Sequence, residues 1–437
     1  MKIIKIFLIF SVLTGVFLCS AEAGTSNLSL QIKTAGKKLD HKLNEEITFV
    51  CSLVNGVTNS KTEYILLYER NGDDGKKFSG EAVISADKPF VLKTSLDKPG
   101  FVRIHAQLAD SNGSKLFKKL NGKNVPITFE AGAAADIQNI REALPEPADF
   151  DQFWQKQKKR LSAVPMNPVL KEIPCKDGKV KIYEVTLQCA GPRPATGYLT
   201  IPSDAKAKTR KAQILFYGYG MAMPSVPASG PVSHIVFTLN THGYDLGKNS
   251  AYYHDFYNKL NYGKYTYAFH PEENKHPENT YFNGMVMRIL RALQFLKTLP
   301  EWDGINLIAT GGSQGGLQAI WAGGLDSDVT AVQAGMPWCC DIGGATAGRI
   351  ASTMRPAYTG ALAYYDAVYH AKRFRRDLIT TVLSAGLGDD LCPPSGVAAF
   401  FNQCNSAQKS ILWIQGATHF TVPKNTDRFS LIQKTDK

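Results

Sequence analysis

Apolar and polar positions along this chain follow two rhythms. Before residue 130 the apolar runs are short and broken by turns. Residues 46–53, Glu46-Ile47-Thr48-Phe49-Val50-Cys51-Ser52-Leu53, alternate imperfectly, and residues 64–68 and 101–106 are further short β-rich runs. Polar clusters part them, at Asn71-Gly72-Asp73-Asp74-Gly75 and Asp97-Lys98-Pro99-Gly100. Alternation places successive side chains on opposite faces of a strand, so these runs predict half-buried strands joined by turns. About seven strands in some hundred residues predict an immunoglobulin-like β-sandwich over residues 24–130.

Residues 131–146 are rich in small residues and proline and read as a connector. Beyond them the rhythm changes. Residues 150–161 predict an amphipathic helix carrying Phe150, Phe153 and Trp154. Residues 180–187, 196–201, 212–216 and 234–239 predict strands. Residues 285–299 predict a helix, with Met285, Ile289, Leu293 and Leu296 at helical spacing. Strands alternating with helices imply a mainly parallel sheet covered on both faces, here over residues 147–437. The fold class is therefore α/β, preceded by a β domain, and the length suits two domains.

The candidate chemistry lies in this second part. An apolar run at 305–309 leads into Gly311-Gly312-Ser313-Gln314-Gly315, and residues 317–322 read as a helix. Strand, tight Gly-x-Ser-x-Gly turn and helix are the setting of a nucleophile elbow. Glycines on either side let strand and helix pack closely around a strained serine. The helix N-terminus then points at the reacting centre. A glycine-rich turn can hold a serine by chance, but two later features point the same way. The β-rich run 380–385 is followed by Gly386-Leu387-Gly388-Asp389-Asp390, and the run 410–414 by Gly416-Ala417-Thr418-His419. Ser313, Asp389 and His419 thus follow three predicted strands in the chain order of an α/β-hydrolase triad. A serine hydroxyl needs a base to take its proton, and histidine does so near neutrality. A carboxylate fixes the imidazole tautomer and stabilises the imidazolium. Asp390 reads as a turn carboxylate.

Composition adds a location and removes some partners. Residues 1–23 read as a secretory signal, with Lys2 and Lys5 ahead of the apolar run 6–18 and Ala21-Glu22-Ala23 as cleavage site. This predicts a secreted or periplasmic protein. Cys19 raises the alternative of a lipid anchor, against which Phe17-Leu18 are bulky where small residues are wanted. No later run is long enough to cross a bilayer. The formal charge is +12, but the lysines are scattered and no nucleic-acid motif is present, so the charge reads as solubility. Cleavage at Ala23 leaves seven of eight cysteines, an odd number that implies an unpaired thiol or a bond between chains. No cysteine spacing fits a zinc motif, and neither metal nor cofactor is expected.

Residues from 147 to about 425 resemble the acetyl xylan esterase / cephalosporin C deacetylase family of α/β-hydrolases. The resemblance begins at Pro147-Ala148-Asp149-Phe150-Asp151-Gln152-Phe153-Trp154 and continues through Tyr217-Gly218-Tyr219, similar to that family's His-Gly-Tyr. It is strongest at residues 291–300 and 310–316, and extends to Pro337-Trp338-Cys339-Cys340-Asp341 and residues 387–394. It implies Ser313 as nucleophile, Asp389 as acid and His419 as base. It also implies an oxyanion hole made by the backbone N–H groups of Gln314 and Tyr219. The implied activity is removal of acetyl groups from acetylated xylan or other acetylated saccharides. Two places depart from the family. Asn240-Thr241-His242-Gly243 stands where Arg-Gly-Gln is usual, and Phe420 stands where glutamate often follows the histidine. His242 reads either as a substrate contact or as a loop histidine without a function. The family often forms ring-like hexamers, and the extra β domain leaves the oligomeric state open. That domain either binds glycan or packs on the enzyme. Other readings are a peptidase or general carboxylesterase on the same fold, and an inactive glycan-binding protein, against which the intact Ser313, Asp389 and His419 speak.

Overall fold

A computed structural model describes residues 27–54, 59–120, 122–176, 178–220 and 225–434. The signal expected over residues 1–23, with Cys19, lies outside the described residues. Among those described, no helix is long and apolar enough to cross a membrane, and Cys51, Cys189, Cys339, Cys340, Cys392 and Cys404 are free thiols.

Two sheets of the first part of the chain enclose one apolar cluster, and Phe117–Leu120 and Lys123–Pro126 pair as a separate two-stranded ribbon. Strands Ser29–Thr34, Ile47–Val54 and Phe90–Thr94 make a three-stranded antiparallel sheet. The second sheet has the order Asp40–His41, Thr128–Ala135, Gly100–Ala109, Tyr64–Gly72, Lys77–Ile84. Ile32, Phe49, Leu66, Leu92 and Ile104 meet between them. The start of the expected connector is strand: Ala131 to Ala135 pair antiparallel with Ile104 to Gly100 and are fully buried. The period-two rule explains this burial. Val102, Ala133 and Ala135 face the core between the two sheets, whereas Phe101 and Ala134 face the core of the following unit. The five-stranded sheet is therefore covered on both faces here.

The second unit holds a ten-stranded mixed sheet. Its strands are β1 (Val169–Ile173), β2 (Val180–Leu187), β3 (Ala195–Pro202), β4 (Arg210–Phe216), β5 (His234–Asn240), β6 (Trp302–Gly312), β7 (Ala331–Gly335), β8 (Ile379–Gly386), β9 (Gln408–Ile414) and β10 (Arg428–Lys434). The order is β1-β2-β3-β5-β4-β6-β7-β8-β9-β10. Only the stretch from β5 to β9 is parallel; β1 to β3 and β10 add antiparallel edges. Helix α1 (Phe150–Ser162) buries Phe150, Phe153, Trp154 and Leu161 along one stripe. Helix α2 spans Ser250–Leu260. Helix α3 (Tyr281–Leu296) starts at the Thr280 cap, whose hydroxyl accepts the Asn283 N–H at 3.2 Å. It stops at Leu296, earlier than the apolar spacing predicts, because residues 297–299 tighten into turns. Helix α4 (Gln314–Leu325) follows β6 directly and is almost wholly buried. The short α5 (Ala367–Ala371) and α6 (Pro394–Gln403) complete the layer. Parallel strands end on one edge of the sheet, and ligand sites of open α/β sheets form beyond such carboxyl ends. Ser313, Asp389 and His419 follow β6, β8 and β9 on that edge.

Candidate active site

Ser313 occupies the turn between β6 and α4 with φ 56° and ψ −121°, a region that non-glycine residues rarely enter. Close packing enforces it. A Cβ on Gly311 would stand 2.5 Å from the Gly315 carbonyl carbon, and one on Gly315 would stand 2.4 Å from the Phe216 oxygen. Only glycines at both places let the helix sit this close to β4 and β6. The turn is pinned to the end of β7. Ser313 N–H donates to Gly335 O at 2.8 Å, and Ser313 O accepts from Trp338 N–H at 3.0 Å. The strain is thus held by the surrounding backbone, as stored strain at a functional turn must be.

Asp389 is fully buried in the loop after β8. Its Oδ1 accepts the N–H groups of Leu391 at 2.9 Å and Cys392 at 2.8 Å, and its Oδ2 lies 3.0 Å from His419 Nδ1. A carboxylate there makes Nδ1 the donor, which leaves Nε2 free to accept a proton. Asp390 behaves differently. It accepts from the Thr353 hydroxyl at 3.0 Å and ties one loop to another.

The two candidate oxyanion donors sit beside the serine. A Cβ placed on Gly218 would lie 3.9 Å from the Ser313 Cβ, so the Tyr217-Gly218-Tyr219 segment lies against the elbow. Among the described residues, neither the Gln314 nor the Tyr219 backbone N–H has a hydrogen-bond acceptor. Tyr267 links them. Its hydroxyl accepts the Gly220 N–H at 2.8 Å and donates to Gln314 Oε1 at 3.0 Å, while its ring stacks on Tyr219 with centroids 4.4 Å apart. Burial holds the phenol well above its ordinary pKa, so it stays protonated and keeps its donor. The Tyr219 hydroxyl is tied to Thr266 at 2.7 Å and to Tyr267 O at 2.9 Å.

His242 is neither solvent-facing nor idle. It is buried, with Nε2 3.2 Å from Gly220 O and Nδ1 2.8 Å from the Tyr281 hydroxyl. Burial, helped by Arg288, lowers its pKa to about 3, so the ring is neutral and braces the Gly218-Tyr219-Gly220 segment from behind. The loop that departs from the family pattern is closed on itself. Asn240 Oδ1 accepts His242 N–H at 3.0 Å, and Asn240 Nδ2 donates to Thr196 Oγ1 at 2.8 Å. Phe420, the other departure, is 77% exposed and stands edge-on to His419 with centroids 5.1 Å apart.

Sequence reasoning assigned no role to Cys392, Tyr267 or Gln415. Burial with the Asp389 charge keeps the Cys392 thiol well above its ordinary pKa. Donor atoms of Asp389, Cys392 and His419 lie within 4.8 Å of one another. Spacing along the chain hides this group, because His419 comes from a different loop. The one signal was the place of Cys392 three residues after the acid.

This geometry is that of an α/β-hydrolase. Within that class the chain belongs to the acetyl xylan esterase family: the family model described as acetyl xylan esterase (AXE1) matches residues 133–358 and 353–430. Acetyl esterase Axe7A of Xylanibacter ruminicola is 31% identical over 159 residues, which cover 33% of this chain and 36% of that relative. The match thus spans about a third of the curated relative's length. Two solved structures share the fold. Acetyl xylan esterase from Paenibacillus sp. R4 aligns with a TM-score of 0.54 at 19% identity, over 66% of this chain and 94% of that one. Acetyl xylan esterase 1 from Thermoanaerobacterium sp. JW/SL YS485 aligns with a TM-score of 0.55 at 18% identity, over 66% and 93%.

Proposed function

We propose that this chain is a secreted serine esterase that removes acetyl groups from acetylated xylan or other acetylated saccharides through an acyl-enzyme. The observation that carries the reading is Ser313 on its strained elbow after β6, with buried Asp389 bonded to His419 on the same sheet edge, in a chain of the acetyl xylan esterase family. The Ser313 hydroxyl gives its proton to His419 Nε2 and attacks the acetyl carbonyl. The Gln314 and Tyr219 N–H groups receive the developing oxyanion; one such donor is worth about 100- to 1000-fold in rate. His419 returns the proton to the departing sugar hydroxyl. Water then repeats the sequence on the acetyl-enzyme and frees acetate. Asp389 holds the imidazole tautomer throughout.

The reading extends to the rest of the chain. Residues 1–23 act as the secretory signal, residues 27–135 form an immunoglobulin-like β domain, and residues from 147 onward form the catalytic domain. Acetate release from acetylated xylan, with fluorophosphonate labelling of Ser313, tests the activity. Ser313→Ala must lose both, since losing a triad member costs far more than a hundredfold. Labelling with hydrolysis of peptides, or of long-chain esters alone, would instead establish the peptidase or general carboxylesterase. No labelling and no turnover would leave a glycan-binding protein.

A further inference from the structure

We propose that the N-terminal β unit is a working part of the catalytic site, and that Gln415 is the positioning residue through which it seats the loops of the acid and the base. The proposal rests on the triad reading above. Gln415 follows β9 immediately and precedes His419 by one turn of chain. It is 1% exposed and takes both backbone groups of one residue of the β unit. Its Oε1 accepts from Gly132 N–H at 2.8 Å, and its Nε2 donates to Gly132 O at 2.9 Å. No side chain other than an amide offers a donor and an acceptor in that fork.

The surfaces around this pair interlock. A Cβ on Gly132 would lie 2.7 Å from the Leu387 oxygen, and a Cβ on Gly388 would lie 2.1 Å from the Glu130 Cβ. Gly416 sits at φ +73°, and a Cβ on it would lie 2.4 Å from the Phe129 ring. Residues 129, 130 and 132 of one strand therefore touch the acid loop and the histidine loop together. Those loops are also bonded to each other, through Leu387 N–H to Ile414 O and Gly388 N–H to Ala417 O, both at 3.0 Å. Any shift of the strand reaches both at once. A second tie lies further along the same face. Fully buried Asp73 accepts Phe101 N–H at 2.7 Å with one oxygen and Ile350 N–H at 2.8 Å with the other. The Phe101 and Trp413 rings pack 5.2 Å apart between these ties. A module that only carried the enzyme to glycan would not need to fit the residues flanking Asp389 and His419.

The test compares wild type with Gln415→Ala, Gln415→Glu and Gly132→Ala, using p-nitrophenyl acetate, acetylated xylan and fluorophosphonate labelling. Displacing reacting groups by about 1 Å costs on the order of 100-fold. We expect Gln415→Ala to lower kcat at least tenfold on both esters, with KM little changed and the labelling rate falling by the same factor. Gln415→Glu, which keeps the acceptor for Gly132 N–H, restores part of kcat. Gly132→Ala, altered only on the β-unit side, repeats the loss; it also decides the matter if Gln415→Ala does not fold. Wild-type kcat and labelling in Gly132→Ala and folded Gln415→Ala would overturn the proposal, and so would a loss confined to acetylated xylan. A wild-type protein that is not labelled at Ser313 would overturn the triad reading itself, before any variant is compared.

Discussion

The Tyr267 hydroxyl donates to Gln314 Oε1 at 3.0 Å while it accepts from the Gly220 N–H at 2.8 Å. One phenol thus joins the two backbone segments that would receive the oxyanion. Removing it frees the two segments relative to each other without touching the triad. Tyr267→Phe should lower kcat on p-nitrophenyl acetate about tenfold and leave fluorophosphonate labelling detectable; steady-state kinetics on the purified variant checks this. A donor held in place by a buried hydrogen bond loses its alignment when that bond goes, and preorganisation is what such donors contribute.

In the triad reading the acid is Asp389, not Asp390. Asp389→Asn should cost about 10⁴-fold in kcat, because an amide stabilises the wrong imidazole tautomer. Asp390→Asn should cost less than about threefold, since the Asp390 carboxylate is bonded to Thr353 while Asp389 is the one bonded to His419. Parallel kcat measurements on the two variants decide it, and a larger loss at Asp390 would reverse the assignment.

Much of the candidate site is legible in the sequence because its logic is local. A serine between two glycines, after a β run and before a helix, defines the elbow whatever surrounds it. An acid and a histidine placed just after two later β runs share an edge as soon as those strands are parallel neighbours. What was not legible depends on distant partners. Gln415 looks like an ordinary polar residue after a strand until Gly132, 283 residues away, is seen against it. Residues 131–135 read as a connector because alanine and glycine carry little β signal. They form a strand because small side chains suit a sheet that is covered closely on both faces. Tyr267 belongs to no motif, and its role follows only from the meeting of two loops.

Cys392 should make the candidate site sensitive to soft cations. Its thiol lies within 4.8 Å of donor atoms of Asp389 and His419, a sulfur–nitrogen–oxygen set that suits zinc or cadmium. EDTA should leave ester hydrolysis unchanged, whereas micromolar cadmium should inhibit it reversibly. Metal must displace a thiol proton that burial and Asp389 hold tightly, so inhibition should strengthen from pH 6 to pH 8. Cadmium titrations of initial rate should show at least tenfold weaker inhibition in Cys392→Ser. Equal sensitivity in that variant would place the inhibition elsewhere.

His370 should set part of the acid stability. It is fully buried against Phe150 and Trp154, with Nε2 3.0 Å from Tyr364 O and no hydrogen-bond partner for Nδ1 among the described residues. Desolvation, with Arg373 and Lys158 nearby and Asp151 opposing, lowers its pKa to about 3. The unfolded chain binds that proton near pH 6.5, and the folded chain only near pH 3. Between these values the unfolded state holds more protons, so stability from this group is present above pH 6.5 and is lost as pH falls. The slope is at most about 1.4 kcal/mol per pH unit for one histidine. His370→Gln keeps a donor for Tyr364 O and removes the titration. Urea unfolding at pH 6 and pH 4.5 should therefore show the variant losing less stability than wild type, by roughly 1–2 kcal/mol over that interval. Equal losses in the two proteins would mean that the His370 ring accepts its proton in the folded state without penalty.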